Sequence, residues 1–315
     1  MSQQAYIMPP TVLERFNQLH QYLFETIVQP FLYGMGWMNL DEIAYEGTHL
    51  LLIGAIEMAA LYALLKPLEK WRPVEVWPDR KATRVDVLYT FLGRFGVLPI
   101  LFFFLLTPVV DWGNATLRFR GFIPPNLEDL LGPVTAMLAY LIILDFADYF
   151  RHRLQHKFGV WWALHALHHS QRQMTFWTDD REHLLDLVIA AAWRAAIGLA
   201  IGVPPASFVT LSIFSAAMES LAHANTRISF GPLFERIFVS PRYHRMHHAM
   251  AAGKHGCNFA TLFPVWDIAF RTANFSDEYL PTGIDDQLTG RDYGAGFFRQ
   301  QWLALRRIGE NFGKS

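Results

Sequence analysis

The chain has one cysteine, Cys257, in 315 residues. A single thiol excludes an internal disulfide and any thiolate-rich zinc or iron–sulfur site. Charge is sparse and balanced: 17% of residues are Asp, Glu, Lys or Arg, and the formal net charge is -1. That leaves no electrostatic footprint for nucleic acid. No Gly-rich dinucleotide fingerprint follows a strand-like stretch, and no haem attachment motif occurs. The sequence has no repeat or low-complexity tract, and its N-terminus lacks the basic region and apolar core of a cleavable signal peptide. Apolar side chains are abundant instead, at 52% hydrophobic and 15% aromatic residues.

Much of this apolar content falls in runs long enough to cross a bilayer. Predicted spans cover about 49–65, 85–110, 131–150, 184–201 and 207–222. The last two form a hairpin broken at Val203-Pro204-Pro205, because proline cannot continue a helix. The residues before His49 are partly amphipathic and suit the interface, and residues 225–315 read as a soluble lobe. Lys66, Lys70, Arg72, Arg80, Lys81 and Arg84 fill the link between the first two spans, whereas only Arg118 and Arg120 lie in the next link. Positive-charge bias therefore puts the first link in the cytoplasm. The expected architecture is an all-α integral membrane protein with four to five membrane helices and a cytoplasmic, histidine-rich helical cap, in one domain over 1–315. Phe102, Phe103 and Phe104 of the second span, with the broken hairpin, are expected to wall an apolar tunnel toward that cap.

Ten of the thirteen histidines fall between positions 152 and 248: His152, His156, His165, His168, His169, His183, His223, His244, His247 and His248. On the predicted topology all ten lie on one side, near the membrane surface. Residues i, i+3 and i+4 of a helix share a face. His152 with His156, His165 with His168 and His169, and His244 with His247 and His248 therefore each read as a facet of imidazoles. Neutral imidazole suits iron, zinc and copper. So large a supply exceeds the needs of one ion and points to a pair of metals. His20 and His49 read as surface or interfacial residues, and His255, in a glycine-flanked loop, as a non-ligand.

Asp145 to His156 resembles the first histidine box of the sterol desaturase and fatty acid hydroxylase superfamily of membrane di-iron enzymes. Trp162 to Ser170 resembles the second box, Thr178 to His183 the T-x-x-R-x-H element, His223-Ala-Asn225 the H-x-N element, and Ser240 to His248 the third box. Asn258-Phe259, Trp266-Asp267 and Arg271-Thr272 are similar to the closing run. The resemblance covers 145–272. Asp148, Phe150, Leu184 and Arg271 depart from the usual residues, and none of these departures removes a histidine. The resemblance implies two iron ions held by the ten histidines, with Asp145, Asn225 and Asp267 as polar residues placed to orient them. It also implies O2 as co-substrate and the oxidation of an unactivated C–H bond in a lipid, that is a sterol, a fatty acyl chain or an ether lipid.

Electrons must then come from a separate reductase or small redox carrier, because the chain has no redox-cofactor motif. Arg151, Arg153, Lys157, Arg172, Arg242 and Arg245 either attract an acidic carrier or serve only as cytoplasmic anchors. The leading reading is a lipid monooxygenase. A desaturase on the same scaffold differs only in the fate of the activated carbon. A zinc-dependent membrane hydrolase would need a carboxylate base, for which Asp179, Asp180 and Glu182 are available. A metal transporter would place ionisable residues at mid-membrane; Glu57, Arg94 and Arg194 fall within predicted spans, but the ten histidines do not.

Overall fold

The computed structural model describes residues 10–77, 80–95, 97–250 and 256–312. Its fourteen α-helices among these residues begin with α1 (Pro10–Leu23), α2 (Gln29–Gly34), α3 (Asp41–Trp71), α4 (Lys81–Arg94) and α5 (Val97–Phe119). Then follow α6 (Leu127–Leu131), α7 (Pro133–Lys157), α8 (Gly159–His169), α9 (Leu184–Ile201) and α10 (Pro205–His223). The last are α11 (Gly231–Phe234), α12 (Pro241–His247), α13 (Val265–Ala269) and α14 (Phe297–Phe312). The described residues form no strand; one isolated bridge joins Ala249 and Thr282.

Among the described residues, four stretches are long and apolar enough to cross a membrane: Met38–Trp71, Pro133–Lys157, Leu184–Ile201 and Pro205–His223. They expose large apolar side chains, among them Leu64, Val134, Leu138 and Phe214. Such surface suits lipid rather than water. The predicted second span is divided between α4 and α5, because its first half carries Asp86 and Arg94, which are drawn into the protein by ion pairs. The side chains of Phe102, Phe103 and Phe104 lie outside the described residues, so the tunnel expected there is not described. Ala217 of the hairpin packs instead against the Met58, Leu61 and Phe176 cluster.

Local chemistry sets the helix ends that matter for the site. Pro133 opens α7 at a position where its missing N–H costs nothing. His183 caps α9, its ring nitrogen accepting from the Leu185 amide. Gly202 ends α9 at φ 71°, and a Cβ there would stand 2.6 Å from the Pro125 carbonyl oxygen. The chain then turns at Pro204 and re-enters as α10, with Pro205 in its first turn. The Ser240 hydroxyl accepts from the Tyr243 amide and starts α12. The helices α8 and α12 thereby lie beside the ends of α7 and α10. The cap core is apolar: Leu164 and Leu167 of α8 pack with Tyr89, Tyr293 and Ala304 of α14. Tyr149, Tyr243 and Phe259 form a second cluster beneath.

Candidate metal centre

Nine of the ten expected histidines converge. His152, His156, His165, His169 and His247 bring one ligand nitrogen each to within 4.8 Å of one another, and His168, His223, His244 and His248 do the same beside them. The H-x2-H-H motifs do not act as single facets. On α8, His165 and His169 join the five-histidine group while His168 joins the other; on α12, His244 and His248 join the four-histidine group while His247 crosses over. Helical geometry explains the split: a residue three positions on lags the starting direction by about 60°, and one four positions on leads it by about 40°. Each motif thus straddles both groups, and two short helices tie them together. The His169 and His248 rings stack across the boundary at 4.2 Å.

Backbone carbonyls set the tautomers. His152 Nδ1–H donates to Phe259 O at 2.7 Å, His247 Nδ1–H to Cys257 O at 2.8 Å, and His223 Nδ1–H to Glu219 O at 2.7 Å. A carbonyl oxygen only accepts, so the hydrogen sits on Nδ1 and the Nε2 lone pair faces the group. His165 Nδ1 faces the Asp186 carboxylate at 3.5 Å, and Gln155 and Trp161 hold that carboxylate with three further bonds of 2.7–3.0 Å. Nε2 of His152 and of His165 are buried without a hydrogen-bond partner.

The residues fit a metal. His223 Nε2 lies 3.1 Å from His168 Nε2 and 3.0 Å from His244 Nε2, which lies 3.1 Å from His248 Nε2. His223 Nε2 is a lone pair, so its contacts are either hydrogen bonds from a partner Nε2–H or the spacing of lone pairs around one cation, according to the tautomers of His168 and His244. Two nitrogens bound at about 2.1 Å and at right angles to each other are separated by about 3.0 Å. Burial first, then neighbouring imidazoles, holds His165, His168, His169, His244 and His248 well below the usual histidine range. They are neutral at pH 7, the form that binds metal. Both groups are all-imidazole and suit iron, zinc or copper.

His183 stands apart from both groups. Its Nδ1 accepts from the Leu185 amide at 3.0 Å and its Nε2 faces Gln301 O at 3.2 Å. His20 is buried against the Tyr45 carbonyl at 3.0 Å rather than placed at the surface. His255 lies outside the described residues. Of the polar residues expected to orient the ligands, Asp267 comes nearest to doing so: it accepts from the amides of Phe259 and Ala260 and from the hydroxyls of Tyr243 and Thr272. It therefore fixes the carbonyl that His152 addresses. Asp145 holds Thr261, Leu262, Phe263 and Trp266, the turn just beyond that strand of contacts. Asn225 reaches away from the imidazoles and binds the backbone of Val74 and Glu75.

Sequence reasoning missed the Asp186 cluster and a second one centred on Arg94. The Arg94 guanidinium meets Glu57, Asp179 and Asp180 at 2.6–2.8 Å, and the Asp179 carboxylate faces His223 Nδ1 at 3.4 Å. Of the six basic residues considered for a carrier, Arg151, Arg242 and Arg245 are engaged by Asp148, Glu235 and Glu75. Lys157 and Arg172 remain exposed.

A cavity of about 30 Å³ adjoins the imidazoles, bordered by Arg151, Gln155, Asp179, Glu182, Glu219 and Thr261. It has room for two molecules the size of water. Burial and the nearby Asp186 push Glu182 up to about 8. A second cavity of about 20 Å³ shares Thr261 and extends between α7, α9 and α10 along Leu141, Leu144, Phe208 and Leu211.

Residues 137–272 match the fatty acid hydroxylase family. The chain is 27% identical over 260 residues to the ornithine lipid hydroxylase OlsE of Rhizobium tropici, an alignment covering 82% of this chain and 75% of that protein. It is 30% identical over 152 residues to the alkylglycerol monooxygenase of Homo sapiens, covering 48% of this chain and 33% of that one. Against the Caenorhabditis elegans alkylglycerol monooxygenase it is 31% identical over 137 residues, covering 42% and 26%. The chain thus spans a third or less of these two monooxygenases. No solved structure matches it. Boxes, order and matched range agree: over residues 137–272 the chain is similar to the fatty acid hydroxylase family.

Proposed function

We propose that this protein is a membrane monooxygenase that hydroxylates an unactivated C–H bond of a lipid, using O2 and two iron ions held by nine histidines. The observation that carries this reading is the pair of adjoining all-imidazole groups bridged by α8 and α12. When bound, iron supplies O2 activation and transfer of one oxygen atom to the substrate carbon. The chain's own residues do the rest. The Phe259, Cys257 and Glu219 carbonyls and the Asp186 carboxylate aim the imidazoles, while Asp267 holds the Phe259 amide. The small cavity beside the imidazoles has room for no more than about two water molecules. The second cavity, which shares Thr261 with the first, has room for about one molecule the size of water and lies beside α7, α9 and α10.

Relatives named for an ornithine lipid and an alkylglycerol share only the lipid class, and the substrate is proposed at that level. The site faces the cytoplasm by positive-charge bias, and electrons arrive from a separate reductase or redox carrier. The zinc hydrolase reading is weakened because Arg94 engages Asp179 and Asp180, two of the three carboxylates available as its base.

Iron-reconstituted enzyme turned over with a lipid extract, an electron donor and isotopically heavy O2 tests the function. A product carrying one heavy oxygen atom supports hydroxylation. Loss of two hydrogens without oxygen would identify a desaturase, and O2-independent turnover with zinc a hydrolase. Labelling of single cysteines at Asn114 and Asp292 in a Cys257→Ala background tests sidedness; only Asp292 is expected to react from the cytoplasmic side.

A further inference from the structure

The segment after α10 reads as a soluble lobe in the sequence, yet its last helix carries an apolar stripe that stays exposed among the described residues. On α14, Phe298, Trp302 and Leu305 are 85%, 65% and 43% exposed. They stand at i, i+4 and i+7, on one face. The opposite face is fully engaged: Gln300 accepts from the Tyr89 hydroxyl at 3.0 Å, Ala304 is buried in the cap core, and Arg307 donates to Arg291 O at 2.8 Å. The stripe is therefore a second face, and not the packing face misplaced.

The height of α14 is fixed by its contacts. The Gln301 side chain accepts from the Leu184 amide at 2.9 Å and donates to Glu182 O at 3.1 Å. Leu184 is the first residue of α9, one of the four stretches fit to cross a membrane. The middle of α14 thus lies level with the end of a span. Through Tyr89 it also touches α4, whose outer face exposes Leu88 and Phe91, with Lys81 and Arg84 one to two turns earlier. Arg299 and Arg306 flank the stripe on α14 and are exposed. Apolar and aromatic side chains at the boundary level, bordered by guanidinium and ammonium groups, match the interfacial region of a phospholipid leaflet, where Trp is favoured and cations meet phosphate.

We infer that α14, with the outer face of α4, lies in the membrane interface, so that the Phe298–Trp302–Leu305 stripe dips into phospholipid. This anchors the helix that backs α8, and so holds the histidine cap against the leaflet from which a lipid would enter. The inference concerns the membrane contact alone and stands whether or not the proposed chemistry is correct.

Single nitroxide labels at positions 298, 302 and 305, in a Cys257→Ala background, test it in phosphatidylcholine–phosphatidylglycerol vesicles. Collision with O2, which concentrates in lipid, is compared with collision with a water-soluble nickel chelate. Each labelled chain is first checked for native helix content by circular dichroism and for a single peak in size-exclusion chromatography; Leu305, the least exposed of the three, serves if the aromatic sites disturb folding. The expected result is an O2-to-nickel collision ratio several-fold above that at Asp292, an exposed position outside the stripe. A ratio equal to that at Asp292 would show a solvated helix. Shielding from both reagents would show that a protein surface covers the stripe. Either outcome overturns the inference.

Discussion

The Nδ1–H of His152 points at the carbonyl oxygen of Phe259 from 2.7 Å, and Asp267 holds the Phe259 amide at 2.9 Å. One carboxylate that touches no imidazole thereby sets the tautomer and direction of one. Asp267→Asn keeps the size but gives up one accepting oxygen. Outer partners of this kind are worth about 10–100-fold in metal affinity. Iron titration of the variant is expected to show weaker binding of one ion within that range, with the other unchanged. Unaltered binding of both would remove Asp267 from the site.

His183 sits within a residue of the site's acidic border yet outside both imidazole groups, with each ring nitrogen engaged by the backbone. His183→Ala is expected to keep its full complement of iron while losing a helix cap, worth about 1 kcal/mol. Thermal unfolding together with metal analysis separates these effects. Loss of an ion would return His183 to the ligand set.

The metal-free protein has a defined pH response. His165, His168, His169, His244 and His248 have native pKa values held well below 6.5 by burial and by one another. Below pH 6.5 the unfolded chain therefore binds more protons than the native one. Stability is complete above that pH and falls as pH drops toward the depressed native values, by up to about 1.4 kcal/mol per pH unit for each group. Melting temperature of the metal-free protein is expected to decline steadily from pH 7 to pH 5. A flat or rising profile would contradict the clustered, neutral imidazoles.

Arg94 is the shared counter-ion of Glu57, Asp179 and Asp180 and is 7% exposed. Removing one member of a buried ion cluster costs about 3–5 kcal/mol, because the partners stay behind uncompensated. Arg94→Met is expected to show that loss in detergent unfolding. Since Asp179 also faces His223, iron affinity should fall at the four-histidine group before the other. Arg94→Lys should rescue little, as an ammonium cannot present a planar fork to three carboxylates. Wild-type stability in Arg94→Met would show that the cluster is idle.

The histidine spacings made most of the site legible: nine of the ten positions converge, and their clustering beside apolar spans is the feature that sequence patterns record best. How they divide was not legible. The i, i+3, i+4 rule says that His165, His168 and His169 are near one another, but not that a second centre lies close enough to claim His168. His183 falls in the same motif register as the nine clustered histidines, and only the fold reveals that its ring caps α9. The carbonyls of Phe259, Cys257 and Glu219 carry no side-chain signal at all. Arg94 and Glu57 looked like charges stranded in spans until the structure brought in Asp179 and Asp180 from a loop some 85 positions away.

Iron content of the anaerobically reconstituted, membrane-extracted protein bears most directly on the central claim. The expected result is two iron ions per chain, falling to one in His223→Ala/His244→Ala and to one in His152→Ala/His169→Ala, since each pair belongs to a different group. One ion in the wild type, or two in either double variant, would contradict a pair of metals held by these nine histidines.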